Sequence, residues 1–316
     1  MELRASHLEA AGPEGFGDLK ALCHRLREDP NVARGRLPTK EQGNVDIAMK
    51  LAFMTSCSAL DYSTDRLEKG HLRTQWKAEE PLSKFIEQLF EPEPHVILSF
   101  SEHLGHADFK SDLKATKLRK VLGIVITPTD DIQDHLKLDR KNMTLEVFHH
   151  VGFIKDHLRR TKDLSGDSTF VDALKLGALP RALLLEVLES IQSVLFPLSD
   201  KKSRKLLKSY VDSGAFDPEI QQFEFGSIKN KGEEKIPFYH LSRRLSDLHQ
   251  ELLDPTPRGW FERQLERHSG ARYMMMATMV GVLFALILGF LSLVVSSYQT
   301  YIAYQAWKHP VSPEER

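Results

Sequence analysis

Between Arg272 and Lys308 the chain carries no Asp, Glu, Lys or Arg. No other feature restricts its possible folds as strongly. The densest part runs from Met274 to Ser297, about 24 residues, which as a helix extends roughly 36 Å at ~1.5 Å per residue. A hydrocarbon layer is about 30 Å thick, so such a helix spans it with some tilt. A buried helix of a soluble core rarely runs so far without a charge. Trp260, Phe261 and Tyr273 precede the span, and Tyr298, Tyr301, Tyr304 and Trp307 follow it at helical spacing. These are the amphipathic rings expected at headgroup depth.

Basic residues set the expected orientation. Arg258, Arg263, Arg267 and Arg272 precede the span, whereas only Lys308 and Arg316 follow it. By the positive-inside rule the long N-terminal part stays cytosolic. The first residues, Met1-Glu2-Leu3-Arg4-Ala5-Ser6-His7, lack the apolar core of a secretory signal. The expected layout is that of a tail-anchored protein, in endoplasmic reticulum or secretory membranes rather than mitochondria. In that topology the sequon Asn142-Met143-Thr144 stays unmodified. Ala277, Gly281, Ala285 and Gly289 recur at every fourth position, a ladder that lets two helix backbones approach closely in lipid. This face suits a homodimer, and small residues of this kind also serve simple accommodation in lipid.

The remaining sequence reads as a mainly α fold with a minor β element (α+β). Five segments are expected: a loose 1–43 with one short helix, a mostly helical domain 44–257, an amphipathic juxtamembrane helix 258–272, the span 273–297 and a tail 298–316. Phe16, Leu19, Leu22 and Leu26 mark the short helix. Asn44 is placed to cap a helix through Ile47, Leu51 and Met54. Pro81 opens a helix with Leu82, Phe85, Ile86, Leu89 and Phe90 as its stripe. Further helices are expected over Pro180–Phe196, from about Asp200 to Val211, and over Leu241–Leu253. The segments His95–Phe100, Val121–Thr127 and Thr144–Val151, rich in Val, Ile and Phe, read as strands. The net charge of −1 argues against a bulk nucleic-acid binder. Two cysteines, Cys23 and Cys57, make no disulfide framework and read as buried thiols.

Few motifs point to chemistry. Asp130-Asp131-Ile132-Gln133-Asp134 has the D-D-x-x-D form in which carboxylates on one helix face hold magnesium against a diphosphate. Acidic residues after Pro128 serve equally well to start a helix. His103, His106 and Asp108 cluster, and His149, His150 and His157 are the available additional ligands, but a metal needs convergent geometry. No Walker A loop, G-x-G-x-x-G, G-x-S-x-G or C-x-x-C occurs, so no cofactor is expected. Lys201, Arg204, Lys205 and Lys208 share a helical face with Lys202 beside it, and Lys110, Lys114, Lys117 and Lys120 form a looser row. A basic amphipathic face on a membrane-tethered chain suits anionic lipid or an acidic partner.

The string Gly259-Trp260-Phe261-Glu262-Arg263 through Arg272-Tyr273-Met274-Met275 resembles the C-terminal end of an uncharacterised family of filamentous-fungal proteins. Leu51-Ala52-Phe53-Met54, Asp131-Ile132-Gln133-Asp134-His135-Leu136 and Val194-Leu195-Phe196-Pro197-Leu198-Ser199-Asp200 are similar to the same family. The resemblance implies a fungal origin and an accessory role, and it brings no catalytic residue. Two-helix magnesium channels are a superficial likeness only. The Gly-Met-Asn pore loop is missing, and residues 298–307 are too short and polar for a second span. The expected function is that of a membrane-anchored interaction protein that touches the bilayer and a cytosolic protein partner and binds no nucleic acid. The alternative is a magnesium-dependent enzyme using Asp130, Asp131 and Asp134.

Overall fold

The computed structural model describes residues 17–38, 43–57, 75–91, 110–164, 169–222, 228–233, 236–255 and 272–308. The chain divides into two compact units, Met1–Pro255 and Thr256–Arg316. The first is mainly helical with one small sheet, as its apolar periodicities imply.

Helix α1 spans residues 17–28, and its Leu22 and Leu26 are fully buried. The apolar face expected of this short helix is thus packed into the core, and residues 1–16 lie outside the described residues. Helix α2 (Val45–Phe53) starts after Asn44, whose side chain makes no capping bond. It ends at Met54 in the left-handed region, φ 49°, and the loop that follows belongs to the site described below. Helix α3 (Leu82–Leu89) starts directly after Pro81, whose missing N–H costs nothing in the first turn. It buries Leu82, Phe85 and Ile86, and Trp76 stacks on Phe85 at 5.8 Å.

Helix α4 (Ala115–Leu122) stops at Gly123, φ 65°, a left-handed C-terminal residue that glycine adopts without a Cβ clash. Strand β1 therefore begins at Val125, later than the extended run from Val121 suggests, and continues to Thr129. Strands β2 (Lys137–Asp139) and β3 (Thr144–Phe148) complete a sheet of order β1-β3-β2. Strands β1 and β3 are parallel, with Thr129 opposite Phe148. Pro128, which has no N–H to donate, sits on the edge strand where that loss is tolerated. The expected strand His95–Phe100 lies outside the described residues, as does the juxtamembrane helix.

Helices α5 (Val151–Arg160) and α7 (Arg181–Glu189) pack together. Between them runs α6 (Phe170–Lys175), started by a capping box of Thr169 and Asp172. The single helix expected over Pro180–Phe196 is two pieces, because α7 widens into a π-helical turn at Ser190–Leu195. Helix α8 (Lys201–Asp212) is capped by Asp200 and packs against α4, as does α9 (Ser242–Leu253).

Two buried ionic side chains tie these pieces together. Arg181 forms a fork with Glu233, Nε–Oε1 2.6 Å and Nη2–Oε2 2.7 Å. It also donates to the carbonyls of Leu158 and Ile228. Glu186 accepts the backbone N–H groups of Tyr239, His240 and Leu241. It thereby caps α9, which has no side-chain cap of its own. Burial pushes its carboxyl up to about 7, against the opposing pull of those three N–H donors.

The second unit holds helix α10, Arg272–Lys308, 37 residues long. It does not end at Ser297. Residues 298–308 contain no Gly or Pro, and Pro310 is the first breaker, so the helix continues through the expected tail. Thr300 Oγ1 donates back to the Ser296 carbonyl at 2.9 Å. Within Thr278–Lys308 the most apolar 18 residues have a mean hydropathy of 2.6, and none of them is buried.

Candidate functional site

Because β1 and β3 run parallel, the residues just past them emerge at the same carboxyl end. Parallel sheets commonly place ligands at that end. Asp130 leaves β1 there, and His149 and His150 leave β3. Asp130 Oδ1 lies 2.6 Å from His150 Nε2 and 3.2 Å from His149 Nε2. The two imidazole rings are 4.0 Å apart, and Phe216 stacks on His149 at 5.7 Å. On the far side, His149 Nδ1 accepts the N–H of Asp217 at 3.0 Å. His150 Nδ1 stands 3.6 Å from Asp217 Oδ2. Hydrogen bonds from His149 and His150 hold the Asp130 carboxyl well below the usual carboxylate range.

One potential ligating atom each from Asp130, His149 and His150 lies within 4.8 Å of the others, enough for a three-ligand metal site. A ligating histidine binds metal through one nitrogen and donates the N–H of the other. His150 comes nearer to that rule, since its Nδ1 faces Asp217 Oδ2, although 3.6 Å is too long for a hydrogen bond. His149 does not. Its Nδ1 accepts an amide N–H, so its proton resides on Nε2, the atom that would have to bind the metal. Two ligands remain, too few for a zinc site. The cluster instead acts as a clasp that joins the ends of β1 and β3 to the 3-10 turn Pro218–Gln221.

The D-D-x-x-D carboxylates do not converge. Asp130 serves the clasp. Asp131 caps the 3-10 turn Ile132–Asp134 by accepting from Gln133 N, and it also accepts from Ser56 N at 3.1 Å. Gln133 donates to Thr55 and to the Ser56 carbonyl, so this turn grips the loop after α2. Asp134 pairs with Lys137 at 3.1 Å. The turn is three residues long, so it offers no helix face on which the carboxylates could line up.

His103, His106 and Asp108 lie outside the described residues. His157 is internal, with Nδ1 accepting from Leu179 N and the ring 3.9 Å from Phe153. His135 was not singled out by any motif. It is fully buried, accepts from Phe148 N through Nδ1, and donates to Ser190 Oγ at 2.7 Å. Burial and the nearby Arg244 lower its pKa to about 3. Cys57 is buried and its thiol is pushed up to about 12, with burial the largest cause. That environment makes it a poor nucleophile.

The two lysine rows part company. Lys110 pairs with Glu189 at 2.7 Å and Lys117 with Asp112 at 2.5 Å, so the looser row is broken. Lys201, Lys202, Arg204, Lys205 and Lys208 are all exposed on α8. In α10, Cβ atoms added at Gly281 or Gly289 would meet nothing within 4 Å. Arg263 and Arg267 lie outside the described residues, and Arg272 opens the helix. Comparison with known protein families, curated proteins and solved structures found no match.

Proposed function

We propose that this is a single-pass membrane-anchored interaction protein, its first unit cytosolic and acting by binding rather than catalysis. The supporting observation is α10, one continuous apolar helix whose residues from Thr278 to Lys308 are all exposed among the described residues. Leu, Val, Ile and Phe left in water over such a length would be prohibitively unfavourable, and lipid removes that cost. The arginines before the span support the cytosolic orientation. Self-association through Ala277, Gly281, Ala285 and Gly289 is a second element of the proposal. Residence in endoplasmic reticulum or secretory membranes is a third, and the resemblance of the juxtamembrane string bears on a filamentous-fungal origin alone. The magnesium-enzyme alternative has lost its geometric support, since its three carboxylates serve three different partners.

The test pairs the full chain with a truncation ending at Pro255, each tagged at its N-terminus. Resistance of the full chain to alkaline carbonate, digestion of its tag in sealed vesicles, and solubility of the truncation are expected. A protected tag would invert the topology and place glycan on Asn142. Extraction by carbonate would remove the anchor.

A further inference from the structure

We propose that α8 docks the first unit onto the anionic lipid surface of the membrane in which α10 is anchored. This inference rests on the anchor reading above. Lys201, Arg204, Lys205 and Lys208 stand at i, i+3, i+4 and i+7, so they share one face. Lys202 flanks them, and all five are exposed. The opposite face buries Ser203 and Leu207. Lys202 meets Asp200 only through its backbone N–H, and among the described residues none of the five side-chain cations pairs with a carboxylate.

That pattern is unusual within this molecule. Several cations on other elements are matched: Lys50 with Asp46, Arg160 with Asp156, Lys137 with Asp134, and Arg140 with Asp247 and Glu251. A solvated helix normally interleaves both signs. Between Asp200 and Asp212, α8 has no acid at all. Like charges at i, i+3 and i+4 repel and weaken a helix, so this face is incomplete without an anionic counterpart.

The neighbouring helix extends the face. Helix α4 packs against α8, and Arg119 of α4 lies 6.0 Å from the Tyr210 ring near the end of α8. Arg119 and Lys120 are exposed as well. Apolar side chains accompany the charge: Val121, directly after Lys120, is 54% exposed, and Leu198, three residues before Lys201, is 42% exposed. Exposed aliphatic groups beside a basic helical face are what an interfacial surface presents to headgroups and upper acyl chains.

Lipid is favoured over a soluble acidic partner because the chain supplies it. Residues 256–271 link the two units, at most roughly 55 Å when fully extended. The tether therefore holds the first unit at a high effective concentration near the bilayer. A cytosolic leaflet is anionic, and each basic residue at its surface raises affinity about fivefold.

The full chain, reconstituted in vesicles of phosphatidylcholine alone or mixed with phosphatidylserine, is labelled with a water-soluble acylating reagent and its lysines are read by mass spectrometry. In the anionic vesicles Lys201, Lys202, Lys205 and Lys208 should label several-fold more slowly. Lys84 and Lys175, exposed on other helices, should not change. Salt of about 0.5 M should restore the rates, because it screens exposed charge. In the R204E/K205E/K208E variant Lys201 and Lys202 should label equally in both vesicles. Equal rates in both vesicles for the native chain, with the protein retained after carbonate washing, would sink the docking and leave the anchor standing. Release by carbonate would remove the anchor reading and the docking with it. Protection in phosphatidylcholine vesicles brought about by added polyglutamate, and not by phosphatidylserine, would assign the face to a soluble acidic partner and overturn the lipid assignment.

Discussion

Helices α7 and α10 are built from the same side chains and use them in opposite ways. In α7, Leu183, Leu184, Val187 and Leu188 are at most 1% exposed, whereas Leu286, Ile287, Leu288 and Leu291 of α10 are all more than half exposed. The first set is removed from water by other protein, through a core that also contains α1, the sheet and α9. The second set is not covered by protein among the described residues. Two kinds of organisation follow. The first unit is held by specific partners, including buried ions whose every bond has an address. The second is specified only by length and hydrophobicity, since lipid is an unselective partner.

The largest expected effects test that contrast with one substitution in two places. Leu184→Asp places an unpaired charge in the core and should abolish the cooperative unfolding transition of the first unit, read by circular dichroism, while carbonate resistance persists. Leu286→Asp at the middle of the span should leave that transition unchanged and weaken insertion by about 3 kcal/mol. A glycosylation-tagged insertion assay measures it. If Leu286→Asp unfolded the first unit, the two units would not be energetically separate.

Arg181→Ala should cost about 3–5 kcal/mol, because it strands Glu233 and two buried carbonyls. Denaturant titration in detergent reads this directly, and a loss below 1 kcal/mol would mean that water replaces the guanidinium.

The pH dependence is smaller and has a defined sign. His135, lowered to about 3 from 6.5, contributes stability that is complete above pH 6.5 and is lost as pH falls towards 3. Glu186, raised from 4.5 to about 7, holds its proton more tightly when folded, so it loses stability as pH rises from 4.5 through 7. Each acts at up to about 1.4 kcal/mol per pH unit within its window. The two oppose each other between 4.5 and 6.5, where native stability should vary little. In His135→Gln only the Glu186 slope remains, so the unfolding midpoint should rise as pH falls from 7 to 4.5. A flat profile in that variant would place the Glu186 carboxyl back near its ordinary range.

The smallest effect concerns the clasp. Asp130→Asn removes a charged acceptor shared by two imidazoles at a half-exposed position, and about 1 kcal/mol is expected. Because His149 cannot offer Nε2 to a metal, zinc should not raise the melting temperature of the native chain. A zinc-dependent increase that Asp130→Asn abolishes would restore the metal reading.

Much of this was legible in the residues alone. The span, the apolar faces of α3, α8 and α9, and the starts of α3 and α8 at Pro81 and Asp200 are encoded by neighbours three or four positions apart. A single sequence displays that range directly. The unbroken continuation of α10 to Lys308 was equally written there, in the missing Gly and Pro, although the polar residues suggested a tail. The fates of Asp130, Asp131 and Asp134 were not legible. A motif shows spacing, but the partners here are Ser56, 75 residues from Asp131, and His150, 20 residues from Asp130. Parallel pairing of β1 with β3 brings Asp130 to the histidines. Likewise Lys110 and Lys117 resemble the lysines of α8 in sequence, and only packing reveals that the former meet Glu189 and Asp112. The chain by itself determined which segments are helical and which one needs lipid, because local periodicity and hydrophobicity suffice for both. Only the tertiary structure decided which charges are neutralised inside the fold and which are left facing outward, because an ion pair depends on what the fold brings within about 4 Å, not on the distance between residues along the chain.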